Sequence, residues 1–355
     1  MMFKHLKVLT AILFASVLIL PSLSVNAATT KIKDVKDTHW ASDVIYTYVN
    51  AGFMNLTNDG YFYPSKAITR AEVADVLVKT LNLPLDAQVE LKAVDLPVSH
   101  PQYKAFQKLI ELGIFNNSEN VNPDSNLTRA QMAKIIALSF QIEVDKVNST
   151  KFKDYANTFW AKDYIESLAD TGIITGKTKT TFAPSDSITK AQFVTLVSRA
   201  KSFSSKVKNL ECAYDLLSHD YIETKAINKS LVKEVIKIVN SERASKNLPE
   251  LIEDPYLNQL ATVKVNDIIT RNYFEHASPY YGYPWEMANY FDYEFTSLGE
   301  NLAKNLTTSA SVMKGWMASP KHKANILKQN YTHIGVAVKR DKAGNFYWVQ
   351  MFSSK

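Results

Sequence analysis

The sequence predicts a multidomain protein, with an all-α N-terminal region of three repeats followed by an α+β C-terminal domain. Three observations carry this. The segment Ile68-Thr69-Arg70-Ala71-Glu72 returns as Leu127-Thr128-Arg129-Ala130-Gln131 and as Ile188-Thr189-Lys190-Ala191-Gln192, with the threonines 59 and 61 residues apart. A period near 60 marks a stacked or ring-like array of one supersecondary unit. From about residue 229 the period stops, and a run of helical patterns ends in an alternating apolar hairpin.

The first 27 residues read as a secretory signal. Lys4, His5 and Lys7 precede the apolar run Val8 to Leu20; Pro21 breaks it, and Val25-Asn26-Ala27 is a small-residue cleavage site, so the mature chain is expected to begin at Ala28. The run is too short to span a bilayer, and no later stretch reaches that length, so no transmembrane segment is expected in the mature chain. The 355 residues carry a formal charge of +6 and no Lys/Arg-rich run, which gives no argument for nucleic acid. A single cysteine, Cys212, rules out an intramolecular disulfide, so stability must come from packed cores.

The repeats are expected at 28–86, 87–146 and 147–204. Each opens with an acid (Asp34, Asp95, Asp154) and a short helix ended by Gly52, Gly113 or Gly172. A connector through Pro64, Pro123 or Pro184 leads to the repeated segment, whose Thr and Glu or Gln form a capping box that starts a second helix. The inward faces are Val73, Val76 and Leu77, then Met132, Ile135 and Ile136, then Phe193, Leu196 and Val197. Arg70, Arg129 and Lys190 put a cation in the first helical turn, against the dipole. Threefold repetition of that choice, with free N–H groups beside it, predicts an anion site. Trp40 and Trp160 fit either ligand stacking or core packing.

These residues resemble S-layer homology repeats: Asp34 six residues before Trp40, the Gly, the Phe-x-Pro and the Thr-Arg-Ala-Glu box. The resemblance implies a pseudo-threefold helical domain that binds secondary cell-wall polysaccharide, often pyruvylated, in grooves between repeats. It implies a secreted protein on a Gram-positive-type wall, with Asp34, Trp40, Arg70, Asp95, Arg129, Asp154, Trp160 and Lys190 lining the grooves. Two departures predict unequal grooves. Pro101 stands where the other repeats have Trp, and Lys190, which lacks the bidentate fork, stands where they have Arg.

Residues 205–228 read as a short, partly helical linker, with Leu210 to Leu217 compatible with a helix. In the domain expected at 229–355, Val232, Val235, Ile236 and Val239 mark one helix, and Pro255 to Thr270 a second. Others follow Pro284, span Thr308 to Met317, and start at Ser319-Pro320. Ile334, Val336 and Val338 alternate into a turn at Asp341 to Asn345 and on to Phe346, Trp348 and Gln350, predicting an antiparallel hairpin with one buried face.

Three polar residues stand out. His322 falls in a first helical turn, which favours the neutral ring, and Glu300 follows Gly299, where a tight turn is expected. With His276 they fit a metal site held by His276 and His322 (zinc, for example), an acid–base pair, or a structural polar cluster.

The segments Phe274-Glu275-His276-Ala277-Ser278-Pro279, Gly299-Glu300-Asn301-Leu302-Ala303 and Ser319-Pro320-Lys321-His322 resemble the bacterial branch of the CAP superfamily. That implies an α-β-α sandwich whose cleft, in eukaryotic members, holds two His and two Glu and in some binds a divalent metal. Here the second Glu falls on Ser319, so the tetrad is incomplete. The roles open to the domain are a binding module for an unknown ligand or protein partner, a metal-assisted hydrolase with His276, Glu300 and His322 as its catalytic cluster, and a lipid carrier using Tyr273, Phe274, Tyr280 and Tyr281.

Overall fold

The computed structural model describes residues 31–147, 151–226 and 228–355. The leader at 1–27 and the expected new terminus at Ala28 lie outside the described residues.

Among the described residues the N-terminal region holds six helices, two per repeat: α1 (Ser42–Asn50), α2 (Arg70–Thr80), α3 (Tyr103–Glu111), α4 (Arg129–Ser139), α5 (Lys162–Asp170) and α6 (Lys190–Lys208). Gly52, Gly113 and Gly172 end α1, α3 and α5 at φ +72, +69 and +73°, where a Cβ is strained. The three capping boxes form as expected: the Thr69, Thr128 and Thr189 hydroxyls accept the N–H of residue 72, 131 and 192, whose side chains accept back from the threonine N–H. The inner faces of α2, α4 and α6 share one core, with Val73, Leu77, Met132, Ile136, Phe193 and Val197 buried in it.

The repeats close on one another through backbone bonds. Ile68 N–H donates to Ile188 O, Ile188 N–H to Leu127 O, and Leu127 N–H to Ile68 O. Each capped helix also gives its first two N–H groups to the next connector: Arg70 and Ala71 to Ser125 O and Pro123 O, Arg129 and Ala130 to Asp186 O and Pro184 O, Lys190 and Ala191 to Lys66 O and Pro64 O. This overturns one expectation. The helix N-termini are not open anion sites, because their free N–H groups stitch the repeats together.

Helix α6 runs 19 residues, past the end of its repeat, and the chain then forms a hairpin of β1 (Cys212–Asp215) and β2 (Asp220–Glu223). The helix expected over Leu210 to Leu217 is therefore replaced by a strand and a turn. The Asp215 carboxylate accepts Leu217 N–H at 2.9 Å and the Ser218 hydroxyl at 2.9 Å, closing the turn, and His219 takes φ +58°. The hairpin is docked on both sides. Tyr221 packs edge-to-face on Phe203 of α6 at 4.8 Å and accepts Glu143 N–H, while Tyr214 donates to Asp145 at 3.0 Å. On the other side, Tyr281 donates to Asp215 at 2.8 Å, Leu216 N–H to Tyr290 O, and Gln259 to Cys212 O. The stretch expected as a spacer is a packed bridge, with Cys212 buried in it.

The C-terminal domain has a four-stranded sheet in the order β3 (Ile252–Glu253), β5 (His333–Arg340), β6 (Phe346–Ser354), β4 (Ser297–Lys304). Helices α7 (Lys229–Ala244) and α10 (Ser309–Ala318) cover one face together with Val336, Trp348 and Phe352. Helices α8 (Pro255–Arg271) and α9 (Pro284–Tyr290) cover the other with Ala337, Val349 and Met351. Helix α11 (Pro320–Ile326) lies at the end of α10. The β5–β6 hairpin thus has two buried faces rather than the expected one, because the residues between its large apolar positions are apolar too. Gly299 is not in a turn; it lies within β4, where an added Cβ would meet the Tyr331 hydroxyl at 2.2 Å.

Candidate functional site

Two regions gather the candidate residues. In the repeats, each box cation reaches across to the next unit. Arg70 Nε donates to Val121 O at 2.7 Å, and its plane lies 4.7 Å from the Phe115 ring. Arg129 Nε donates to Phe182 O at 2.7 Å, Nη2 donates to Thr175 O at 3.0 Å, and Phe182 lies beneath it at 4.5 Å. Burial lowers both guanidinium pKa values; Asp95 opposes this at Arg70, and Asp186 and Asp154 oppose it at Arg129. Lys190 instead pairs with Glu72 at 2.6 Å.

The three aspartates have a shared structural task. Asp34 accepts Phe62 and Tyr63 N–H, Asp95 accepts Val121 and Asn122 N–H, and Asp154 accepts Phe182 and Ala183 N–H, all at 2.6–2.9 Å. Both oxygens of each carboxylate hold a turn whose second residue has positive φ: Tyr63, Asn122 or Ala183. At Asp154 burial raises the pKa, but the two backbone bonds and Arg129 outweigh it and leave the group below its ordinary value.

The tryptophans are not core residues: Trp40 is 64% and Trp160 54% exposed. Each faces a box cation from a different repeat. Trp160 shares a groove with Arg70, Asn122, Asn126 and Gln131. Trp40 shares one with Arg129, Lys177, Gln192 and Arg199. The third groove holds Lys190 and Glu72 with His100 and Gln102, beside Pro101 where the indole is missing.

In the C-terminal domain, His276 Nδ1 lies 2.7 Å from Glu300 Oε1. Glu300 is buried on β4, its pKa raised by that burial against the bond from His276 and the charge of Lys264, and its Oε2 has no partner among the described residues. His322, on the first turn of α11, is half-buried, and burial together with the nearby His276 lowers its pKa. His276 is thus the link between them: its ring bonds the buried Glu300 carboxylate, and its charge acts on His322.

Their supports were not read from the sequence. Lys264 and Asp267 lie one turn apart on α8. Buried Lys264 donates to His276 O at 2.7 Å, and Asp267 accepts from Tyr273, Ser278 and Arg271. Asn301 donates to His322 O at 3.1 Å and to Gln350, and Asn325 donates to Glu300 O and Asn301 Oδ1. Buried Arg243 donates to Ile326 O and Lys328 O, capping the end of α11. The available clue was a lysine between Val263 and Val265 on an apolar helix face.

A metal fits poorly. The Glu300 bond leaves His276 Nε2 free, as in metal-ligating histidines, but Ser319 stands at the fourth position, where a carboxylate would be needed. Among the described residues, no group of three His, Cys, Asp or Glu is placed to hold an ion. The aromatics raised for lipid are engaged elsewhere: Tyr273 and Tyr281 donate to Asp267 and Asp215, and Phe274 and Tyr280 pack beside the α8 core.

Comparison with known proteins matches the S-layer homology domain profile to residues 31–74, 95–133 and 151–194. The profile of the Cysteine-rich secretory protein family, CAP, matches residues 236–352. The chain carries three S-layer homology repeats and a C-terminal CAP domain. It is 40% identical over 123 residues to an uncharacterized protein, YkwD, of Bacillus subtilis, which is 35% of this chain and 47% of that protein. It is 30% identical over 250 residues to an S-layer protein of Bacillus thuringiensis subsp. finitimus, covering 68% of this chain and 30% of that one. The chain spans less than half the length of these relatives. A solved extracellular protein with an SCP domain from Bacillus anthracis aligns at 21% identity and TM-score 0.34, over 43% of this chain and 50% of that one. The repeats and the S-layer relatives indicate a secreted protein at the cell-wall surface. No helix among the described residues is long and apolar enough to cross a membrane.

Proposed function

We propose that the S-layer homology repeats hold the protein non-covalently on an acidic, pyruvylated cell-wall polysaccharide, while the CAP domain is displayed as a binding module. The observation that carries the anchoring is the pairing, in two grooves, of an arginine with an exposed indole from another repeat. A forked guanidinium suits a ketal carboxylate, and an indole face suits a sugar ring. The test is co-sedimentation with isolated wall. Arg70→Ala together with Arg129→Ala is expected to release the protein, with circular dichroism checking that the helices persist without the arginines' bonds to the next repeat, and unchanged sedimentation would remove the reading.

For the CAP cleft, the polar cluster supports binding better than metal-assisted hydrolysis. It offers His276 Nε2 and the His322 ring on a rigid frame, but no third donor for an ion. A pull-down from wall extract with wild type and His276→Ala tests this; identical eluates from the two would count against it. A second reading, acid–base chemistry without metal, is favoured by the raised pKa of Glu300 beside an imidazole.

A further inference from the structure

The loop that begins at His276 ends in a pair of aromatic rings with no assigned role. Tyr283 and Trp285 are 49% and 48% exposed, and their rings stack at 4.7 Å with an interplanar angle of 8°. Exposed aromatics usually turn one edge into the core; here both rings stand out from buried Pro284 between them. The backbone beneath is held firmly. Ser278 and Gly282 exchange two N–H to O bonds, the Ser278 hydroxyl accepts Tyr280 and Tyr281 N–H, and Glu286 accepts Tyr283 N–H at 2.7 Å. Gly282 sits at φ +73°, with the Glu286 carboxylate where a Cβ would go. Ordering this pair on a ligand therefore costs little entropy.

The polar atoms of the pair are open as well. The buried indoles of Trp316 and Trp348 donate to Leu302 O and Leu306 O, and half-buried Tyr273 and buried Tyr281 and Tyr293 donate to carboxylates. Among the described residues the Tyr283 hydroxyl and the Trp285 N–H donate to no protein group. Flat ring faces beside free donors are what a pyranose needs, with C–H groups on one face and hydroxyls at the rim.

Charge narrows the class. Residues 272–303 contain no Lys or Arg; the flanking Arg271 pairs with Asp267 and lies on the Tyr280 ring, Lys304 lies on the Phe274 ring, and among the described residues Glu275, Glu286, Asp292 and Glu294 are exposed without an ion pair. An anionic polymer or an anionic lipid surface would be repelled by this field, whereas a neutral or amine-bearing sugar would not.

We infer that Tyr283 and Trp285 form a stacking shelf for a neutral or amine-bearing glycan, on the CAP domain and separate from the basic repeat grooves. This rests on the reading of that domain as a binding module and names its ligand class. One end of the molecule then takes acidic polysaccharide and the other a glycan without negative charge, so a single chain bridges two wall polymers.

The test uses the full chain labelled with fluorotryptophan, whose five indoles give separate fluorine signals. The probes are the tetramer of N-acetylglucosamine, its de-acetylated tetramer, and phosphatidylglycerol vesicles. The expected result is a saturable shift of the Trp285 signal with a tetramer at about millimolar Kd. Tyr283→Ala should weaken it roughly tenfold, the size of one lost stacking contact, and Tyr283→Phe far less. Stationary Trp285 with both tetramers overturns the inference, as does a shift with vesicles alone. The signals of Trp40 and Trp160, titrated with wall polysaccharide, report the anchoring separately, so the two failures are distinguishable.

Discussion

His322 shows how a single side chain reports its surroundings. Burial first, and then the charge of His276, keep its pKa below 6.5. The folded state therefore holds this proton less tightly than the unfolded chain does. The resulting stability is full above pH 6.5 and is lost as pH falls through the depressed folded value. A proton NMR titration should place the His322 midpoint below 6.5, and His276→Ala should move it part of the way back, because burial remains; no movement would separate the two rings electrostatically. Glu300 works in the opposite direction. Its raised pKa means the folded state holds the proton more tightly, so stability falls as pH rises from 4.5 to the folded value. Glu300→Gln removes the buried charge at nearly the same shape, so thermal unfolding at pH 7 should occur at or above the wild-type temperature, with the His276 pair weakened. A lower melting temperature would mean that His276 is charged and holds the carboxylate.

At the scale of elements, the β1–β2 hairpin decides how the two regions relate. Buried Asp215 closes its turn and accepts the Tyr281 hydroxyl from the CAP loop. Asp215→Ala leaves that hydroxyl and the Leu217 N–H without their partner, at a cost of about 2 kcal/mol. Hydrogen exchange of residues 212–223 should accelerate while the capped helices keep their protection; unchanged exchange would mean the hairpin is held by its tyrosines alone. The contrast between these elements shows what a sequence can disclose. The capping boxes, the glycine stops and the alternating β5–β6 strands are local patterns, and they were legible. The hairpin was not, because four-residue strands carry almost no periodicity and its partners Asp145, Phe203 and Tyr281 lie far away in the chain. In the CAP domain, His276, Glu300 and His322 were legible as candidates from their motifs, though not their roles. Lys264 and Asn301 were not, since they act on the backbone carbonyls of His276 and His322, which any residue would supply. The free helix N-termini were misread for a related reason: a sequence shows which N–H groups a helix leaves over but not which neighbouring carbonyls take them.

The whole molecule turns on three grooves that share a backbone plan and differ in side chains. Beside Trp160, Arg70 bonds the backbone through Nε alone among the described residues, so both terminal nitrogens remain for a bidentate carboxylate. Arg129, beside Trp40, gives Nη2 to Thr175 O and has one terminal nitrogen left. In the third groove the capping residue is Glu72 rather than Gln, and it neutralises Lys190 where no indole stands opposite. Anchoring should therefore be divalent. In wall co-sedimentation Arg70→Ala is expected to weaken retention most, Arg129→Ala next and Lys190→Ala least, with loss of one of two working sites lowering avidity by roughly tenfold or more. A loss from Lys190→Ala equal to that from Arg70→Ala would make the grooves equivalent and sink this argument. The converse change is the sharper test. Lys190→Arg with Glu72→Gln copies the other two grooves, keeps the capping bond to Thr69, and frees the cation from its internal carboxylate. If the missing partner charge is what silences this groove, the double variant should hold to the wall at higher salt than wild type. If Pro101 is what silences it, by removing the sugar-stacking ring, retention should rise only when Pro101→Trp is added.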